Sequence, residues 1–332
     1  MKVLLIGNGF IGNAHRNAYK TLIEQGVDVE VAAICDIRGE MLQKNEFGAK
    51  TYTDIDEMLA KEKDATYADI CVPTYLHKEF SIKCMKAGLH VLCEKPMALH
   101  ESDAEEMMAC SKETGKTLMI AHCARFGADM LAIRKFIMEG KFGKPTSAFF
   151  VAADGNPDWG YEDWFKDKER SGGCMLDLQA HTLDHINWLF GLPEYVSTVA
   201  MQREDYTGFG SISSNAVYKD GLFVHIWCDW FVKKNKYGAR STRVNFEKGY
   251  IYNMRGNNRV LVAVDEEGNE TDLTGTVELN NYSYAGEIEY FISSLIEGTQ
   301  PRMCMPEESA KVIKIMRAQE KSAENNGMPV YL

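Results

Sequence analysis

The sequence has no apolar run approaching the ~18 residues of a membrane-spanning helix. Its first apolar stretch, residues 3–6, is too short for the core of a secretion signal. No membrane partner and a cytoplasmic location are therefore expected. Positive charge is scarce: 37 Lys and Arg stand against 48 Asp and Glu, a net charge of −11. That balance excludes nucleic acid or anionic lipid binding through bulk electrostatics. None of the nine cysteines forms a Cys-x-x-Cys pair, which argues against a zinc ribbon or a thioredoxin-type centre. Several sit in apolar runs, where a free thiol packs as a small hydrophobe, and a reducing compartment follows. Internal repeats and low-complexity segments are also missing. What remains is a chain of 332 residues, 45% hydrophobic and 26% charged. That is a globular composition, at a length that favours two domains.

The first 122 residues alternate short apolar runs with amphipathic stretches. Residues 3–6, 29–35, 68–72, 90–93 and 118–121 read as buried strands rich in Val, Ile and Leu. Helical spacing recurs between them, as in the segment from Phe80 to the stop at Gly88. Ser102 and Glu105 have the spacing of a capping box. Alternation of this kind predicts an α/β Rossmann domain, a doubly wound parallel sheet, over residues 1–122. After Pro145 strands follow one another at 146–153, 196–201, 222–231, 243–246 and 259–264, with helices near 175–190 and 307–325. Residues 123–332 are thus expected to form an α/β domain with a large open, mostly antiparallel sheet.

Gly7-Asn-Gly-Phe-Ile-Gly12 follows the first strand and opens a helix at Phe10 and Ile11. In that context G-x-G-x-x-G is a dinucleotide signature. Gly7 allows the tight turn, Gly9 lets a pyrophosphate approach the backbone, and Gly12 lets helix pack on strand. The helix N-terminus offers N–H groups to the phosphates. Asp36, with Ile37 beside it, ends the second strand, where an acid binds the ribose hydroxyls of NAD. Arg38 leaves NADP possible. Pro73, Thr74 and His77 follow one strand and Glu94-Lys95-Pro96 another. Strand carboxyl ends are where such sheets bind ligands, so both segments point to the nicotinamide half of the cofactor.

A third cluster runs from Gly172 to His185. Asp177 and His181 are four apart, on one helical face, with Asp184 nearby. Histidine exchanges protons near neutral pH, and a neighbouring carboxylate orients it or binds a hydroxyl. A metal held by His181, His185 and Asp177 is the competing reading; no metal is expected. The loop from Asn156 to Trp164 carries Trp159 and Trp164, aromatic faces suited to a sugar or cyclitol ring. Arg125 either binds an anionic substrate group or holds its loop.

Together, G-x-G-x-x-G, Pro73-x-x-x-His77, Glu94-Lys95-Pro96 and Gly172-Gly173…Asp177…His181…Asp184 resemble the Gfo/Idh/MocA oxidoreductases, which include glucose–fructose oxidoreductase and inositol dehydrogenases. The segments from His122 to Phe126 and from Gly140 to Pro145, and the ending with Glu287, Phe291, Gly298 and Pro301, are similar too. The resemblance implies that Lys95 lies between nicotinamide and substrate, that His181 is the acid/base and that Asp177 binds or orients the substrate. Gln179 and Cys174 stand where the family often has glycine. The implied activity is hydride transfer from a secondary hydroxyl of a sugar, sugar derivative or cyclitol to NAD(P). Alternatives are a redox-assisted glycosidase or epimerase that recycles its NAD, and a non-catalytic NAD-binding sensor. Large apolar groups on both faces of 222–231 add the expectation of a homodimer or homotetramer.

Overall fold

The computed structural model describes residues 1–231, 239–254, 260–277 and 280–332. Two compact units emerge: Met1–Phe126 with Asn280–Ala310, and Gly127–Leu279 with Lys311–Leu332. The chain does not divide once near His122 as expected, because residues 280–310 pack with the first unit.

The first unit is built on six parallel strands: β1 (Lys2–Ile6), β2 (Glu30–Cys35), β3 (Lys50–Tyr52), β4 (Tyr67–Ile70), β5 (His90–Glu94) and β6 (Leu118–Ala121), in the order β3-β2-β1-β4-β5-β6. The order reverses between β1 and β4, the switch point at which a doubly wound sheet opens a crevice. Val3, Leu4 and Leu5 of β1 are fully buried, as a strand covered on both faces requires. β3 escapes the hydrophobic pattern because only Tyr52 of its three residues is buried. Helix Glu101–Thr114 starts two residues earlier than a capping box at Ser102 and Glu105 would place it. His100 occupies the cap and no side chain bonds there, so Ser102 and Glu105 lie inside the helix. Helix Ser283–Ile296 adds Ile288, Phe291 and Ile292 to the core around Val3, Leu5, Tyr19 and Tyr67.

The second unit holds a nine-stranded sheet. Its strands are β7 (Pro145–Ala153), β8 (Tyr195–Gln202), β9 (Phe209–Val217), β10 (Phe223–Asp229), β11 (Ala239–Phe246), β12 (Gly249–Met254), β13 (Val260–Asp265), β14 (Glu270–Asp272) and β15 (Val330–Tyr331). They lie in the order β14-β13-β12-β11-β7-β10-β9-β8-β15, antiparallel except for the β7–β10 pair. Arg259, where one strand was expected to begin, lies outside the described residues. On β10 and just beyond it, Val224, Ile226, Cys228 and Trp230 are buried, and helix Gln179–Phe190 packs on β7 and β10. The opposite face exposes Phe223, Trp227 and Phe231, with Phe149 of β7 and Val199 and Met201 of β8. The C-terminal helix spans Pro306–Glu324. Among the described residues no helix is long and apolar enough to cross a membrane.

Candidate active site

Within the first unit the glycine motif joins β1 to helix Phe10–Glu24. Gly7 has φ +93°, and a Cβ there would lie 2.4 Å from the Cys71 carbonyl oxygen. A Cβ on Gly12 would lie 2.0 Å from the Gly7 carbonyl oxygen. The two glycines therefore draw the helix start onto the sheet at the switch point. Gly9 occupies the helix cap without any side-chain hydrogen bond. Uncapped N-terminal amides and bare glycine backbone fit a pyrophosphate. Phe10 and Ile37 are exposed, 62% and 71%, whereas Ile11 is half-buried. Asp36 is buried and accepts the Asn8 N–H at 2.8 Å and the Arg38 N–H at 2.9 Å. The Arg38 guanidinium also donates to it.

After β4, Pro73 is half-buried and Thr74 is buried. His77 is also buried, its ring nitrogens 2.8 Å from the Pro96 carbonyl and 2.9 Å from that of Val72. It clamps the loop after β5 to the loop after β4, and burial pushes its pKa down. The Glu94 carboxylate is buried, accepting the Lys95 N–H at 3.0 Å while its other oxygen meets His15 Nε2. Lys95 itself is half-buried. Arg125 is 1% exposed, among the largest fully buried side chains.

Three residues around Glu94 had no assigned role in the sequence reading. His15 Nδ1 lies 2.8 Å from Asp69 Oδ2, and Glu287 Oε1 is 3.9 Å from His15 Nε2. All three side chains are fully buried. Asp69, an acid in the middle of an otherwise apolar strand, was the signal available.

Within the second unit, residues Gly173–Leu176 and Gln179–Phe190 are helical, and Asp177 and Leu178 between them keep right-handed helical angles. The chain thus turns as one helix past Asp177, bringing it and His181 onto one face, both half-buried. Asp184 and Gln179 are buried. The aromatic loop contains a 3-10 segment, Tyr161–Lys166, with Glu162 and Asp163 at positive φ. Phe165 anchors it: Trp164 stacks on its ring at 3.9 Å and Trp159 meets it edge-on at 4.7 Å, leaving Trp159 51% exposed.

Residues 1–122 match the family described as oxidoreductase family, NAD-binding Rossmann fold, and residues 130–252 match the GFO/IDH/MocA C-terminal domain. The chain belongs to the Gfo/Idh/MocA oxidoreductase family. Among similar proteins, the D-glucoside 3-dehydrogenase of Escherichia coli K12 is 30% identical over 60% of this chain and 57% of its own length, so the chain spans less than two thirds of that relative. The myo-inositol 2-dehydrogenase of Thermotoga maritima is 26% identical over 98% of this chain and 96% of its own. The WlbA dehydrogenase of Bordetella pertussis, solved with NADH and UDP-GlcNAcA, matches with a TM-score of 0.86 at 22% identity, covering 100% of this chain and 97% of that one. Likeness at that identity speaks for the fold. In this Gfo/Idh/MocA chain the glycine turn, Glu94-Lys95-Pro96 and the Asp177–His181 face are all present.

Proposed function

We propose that the protein is an NAD(P)-dependent dehydrogenase acting on a secondary hydroxyl of a sugar, sugar derivative or cyclitol. The observation that carries this reading is the half-buried Asp177–His181 pair on one helical face, a proton acceptor with a carboxylate beside it. Gly7, Gly9, Phe10, Ile11 and Gly12 would hold the dinucleotide phosphates, Asp36 and Ile37 its adenosine half, and Pro73, Thr74 and Glu94 the approach to its nicotinamide. When bound, the nicotinamide ring supplies the hydride acceptor. His181 takes the hydroxyl proton, and Lys95 hydrogen-bonds the same oxygen and stabilises the negative charge that develops on it. Asp177 orients the substrate. Trp159 and Trp164 offer ring faces to its C–H groups. The buried state of Arg125 favours loop support over substrate contact. The relatives named above, a glucoside and an inositol dehydrogenase, support the substrate class. Incubating the protein with NAD and a panel of inositols, aldoses and methyl glycosides, and following NADH absorbance, tests the proposal. Accumulating NADH supports it; a bound NAD that is never reduced by any of them contradicts it.

Two further readings belong here. The exposed face carrying Phe149, Phe223 and Trp227 supports a homodimer or homotetramer assembled on the second unit's sheet. Nine buried cysteines support a reducing, cytoplasmic location.

A further inference from the structure

The most unusual chemistry in the first unit is a buried set of ionisable groups with His15 at its centre. Asp69, from β4, accepts His15 Nδ1 at 2.8 Å, the Tyr19 hydroxyl at 2.8 Å and the Cys71 thiol at 3.5 Å. Tyr67 donates to the Tyr19 hydroxyl at 3.1 Å. On the other side of the ring, His15 Nε2 meets Glu94 Oε1 at 3.0 Å, with Glu287 Oε1 3.9 Å away. Tyr284, from the same helix as Glu287, packs its ring 5.5 Å from the imidazole. Cys123 completes the charged and titratable surroundings.

A carboxylate accepts hydrogen bonds and does not donate. An imidazole ring placed between two carboxylates satisfies both contacts only when both of its nitrogens carry protons. Burial acts against that charge and is the largest single influence, yet Asp69 and Cys71 together outweigh it and the His15 pKa is raised. The opposite acid is tuned in turn: burial raises and His15 lowers the Glu94 pKa, with a net lowering. Glu287 is pushed well above the usual carboxylate range, by burial first and then by the Glu94 charge, and so takes the neutral form. An unpaired charge at this depth would be costly; the arrangement leaves Asp69 and Glu94 sharing one cation.

We propose that the His15 bridge between Asp69 and Glu94 is a positioning device for Lys95. It fixes the Glu94 carboxylate, whose second oxygen holds the Lys95 N–H at 3.0 Å. The chain runs from β4 through the imidazole to the end of β5, so the backbone that carries the lysine is tied to the interior of the sheet rather than to the loop alone. His15 touches neither substrate nor cofactor in this account. It acts through Glu94, and the inference rests on the proposed role of Lys95.

The test uses the full-length protein in two measurements. Nitrogen-15 NMR of histidine-labelled protein, with His15 identified by the signal missing from His15→Gln, is expected to show both ring nitrogens protonated at pH 7. A neutral ring at pH 7 would overturn the proposal. Kinetics on the polyol that reduces NAD fastest should then show His15→Gln losing kcat by about 10²-fold, the size of effect expected from a small misplacement of a catalytic group, with KM and the NADH dissociation constant changed less than about twofold. Where His15→Gln does not fold, Asp69→Asn keeps the ring and Glu94 and should lose roughly tenfold in kcat with the same split. A folded variant with wild-type kcat overturns the positioning role. Lys95→Ala, run alongside, separates the two levels: unchanged turnover there overturns the assigned role of the lysine, whereas a large loss there beside a silent His15→Gln overturns the bridge alone.

Discussion

Asp36 holds Arg38 by its backbone and its side chain together, accepting the Arg38 N–H at 2.9 Å and its Nε at 3.1 Å. The same carboxylate receives the Asn8 N–H at 2.8 Å, so it ties the glycine turn to the end of β2. In the proposed cofactor site, an acid so placed would repel a 2′-phosphate while keeping close at hand the Arg38 cation that would bind it.

Cofactor choice should therefore pivot on this pair. In Asp36→Ser the repelling charge is gone and the guanidinium is released. The NADP-to-NAD ratio of kcat/KM should rise by roughly ten- to a hundredfold, since one unit charge at ~4 Å contributes a few kcal/mol before full solvent screening. Wild-type protein that already prefers NADP would contradict the assignment of Asp36.

The glycine turn makes a stability prediction. Gly7→Ala adds a Cβ at φ +93° and 2.4 Å from a backbone oxygen. Strain of about 1–3 kcal/mol is expected, together with loss of NADH binding by fluorescence titration. Gly26→Ala is the control: its φ is +85° but nothing lies within 4 Å of the added Cβ, so it should lose some stability and no NADH affinity.

How much of this was legible depends on sequence distance. The parallel sheet was readable because β1, β5 and β6 centre on apolar runs and β4 is interrupted only by Asp69. β9 was not, because Ser211, Ser213, Ser214 and Asn215 dilute the alternation of a strand whose inward residues are Gly210, Ile212, Ser214 and Ala216. Asp177 and His181 were found because helical periodicity alone places them together. The His15 bridge was not, since its partners lie 54 and 79 residues away and meet only across β4 and β5. The same holds for residues 280–310, whose packing with the first unit no local pattern announces.

Glu287 gives a pH prediction with a definite sign. An exposed glutamate loses its proton near pH ~4.3, whereas the folded protein holds this one to higher pH. Between the two values the folded state binds more protons than the unfolded state, so stability contributed by this group falls as pH rises. Glu287→Gln removes that slope. The melting temperature of the variant relative to wild type should climb as the pH is raised above about 5. A flat or falling difference would mean that Glu287 is ionised in the folded protein.

The exposed sheet face should set the oligomeric state. Trp227 is 38% exposed and Phe149 40%, and in the sheet they sit on the adjacent strands β10 and β7. The double variant Phe149→Asp with Trp227→Asp should sediment as a folded monomer while wild type sediments as a dimer or larger. Wild-type monomer at micromolar concentration would remove the assembly proposal.

The most direct test of the central claim is NADH production by wild type, His181→Ala and Lys95→Ala on the best polyol of the panel, with NADH affinity measured on the same samples. Wild type should accumulate NADH with polyol and NAD alone. Both variants should fold and bind NADH while losing about 10²–10⁴-fold in kcat, the range for a lost acid–base group. A folded His181→Ala protein that reduces NAD at the wild-type rate would contradict the account.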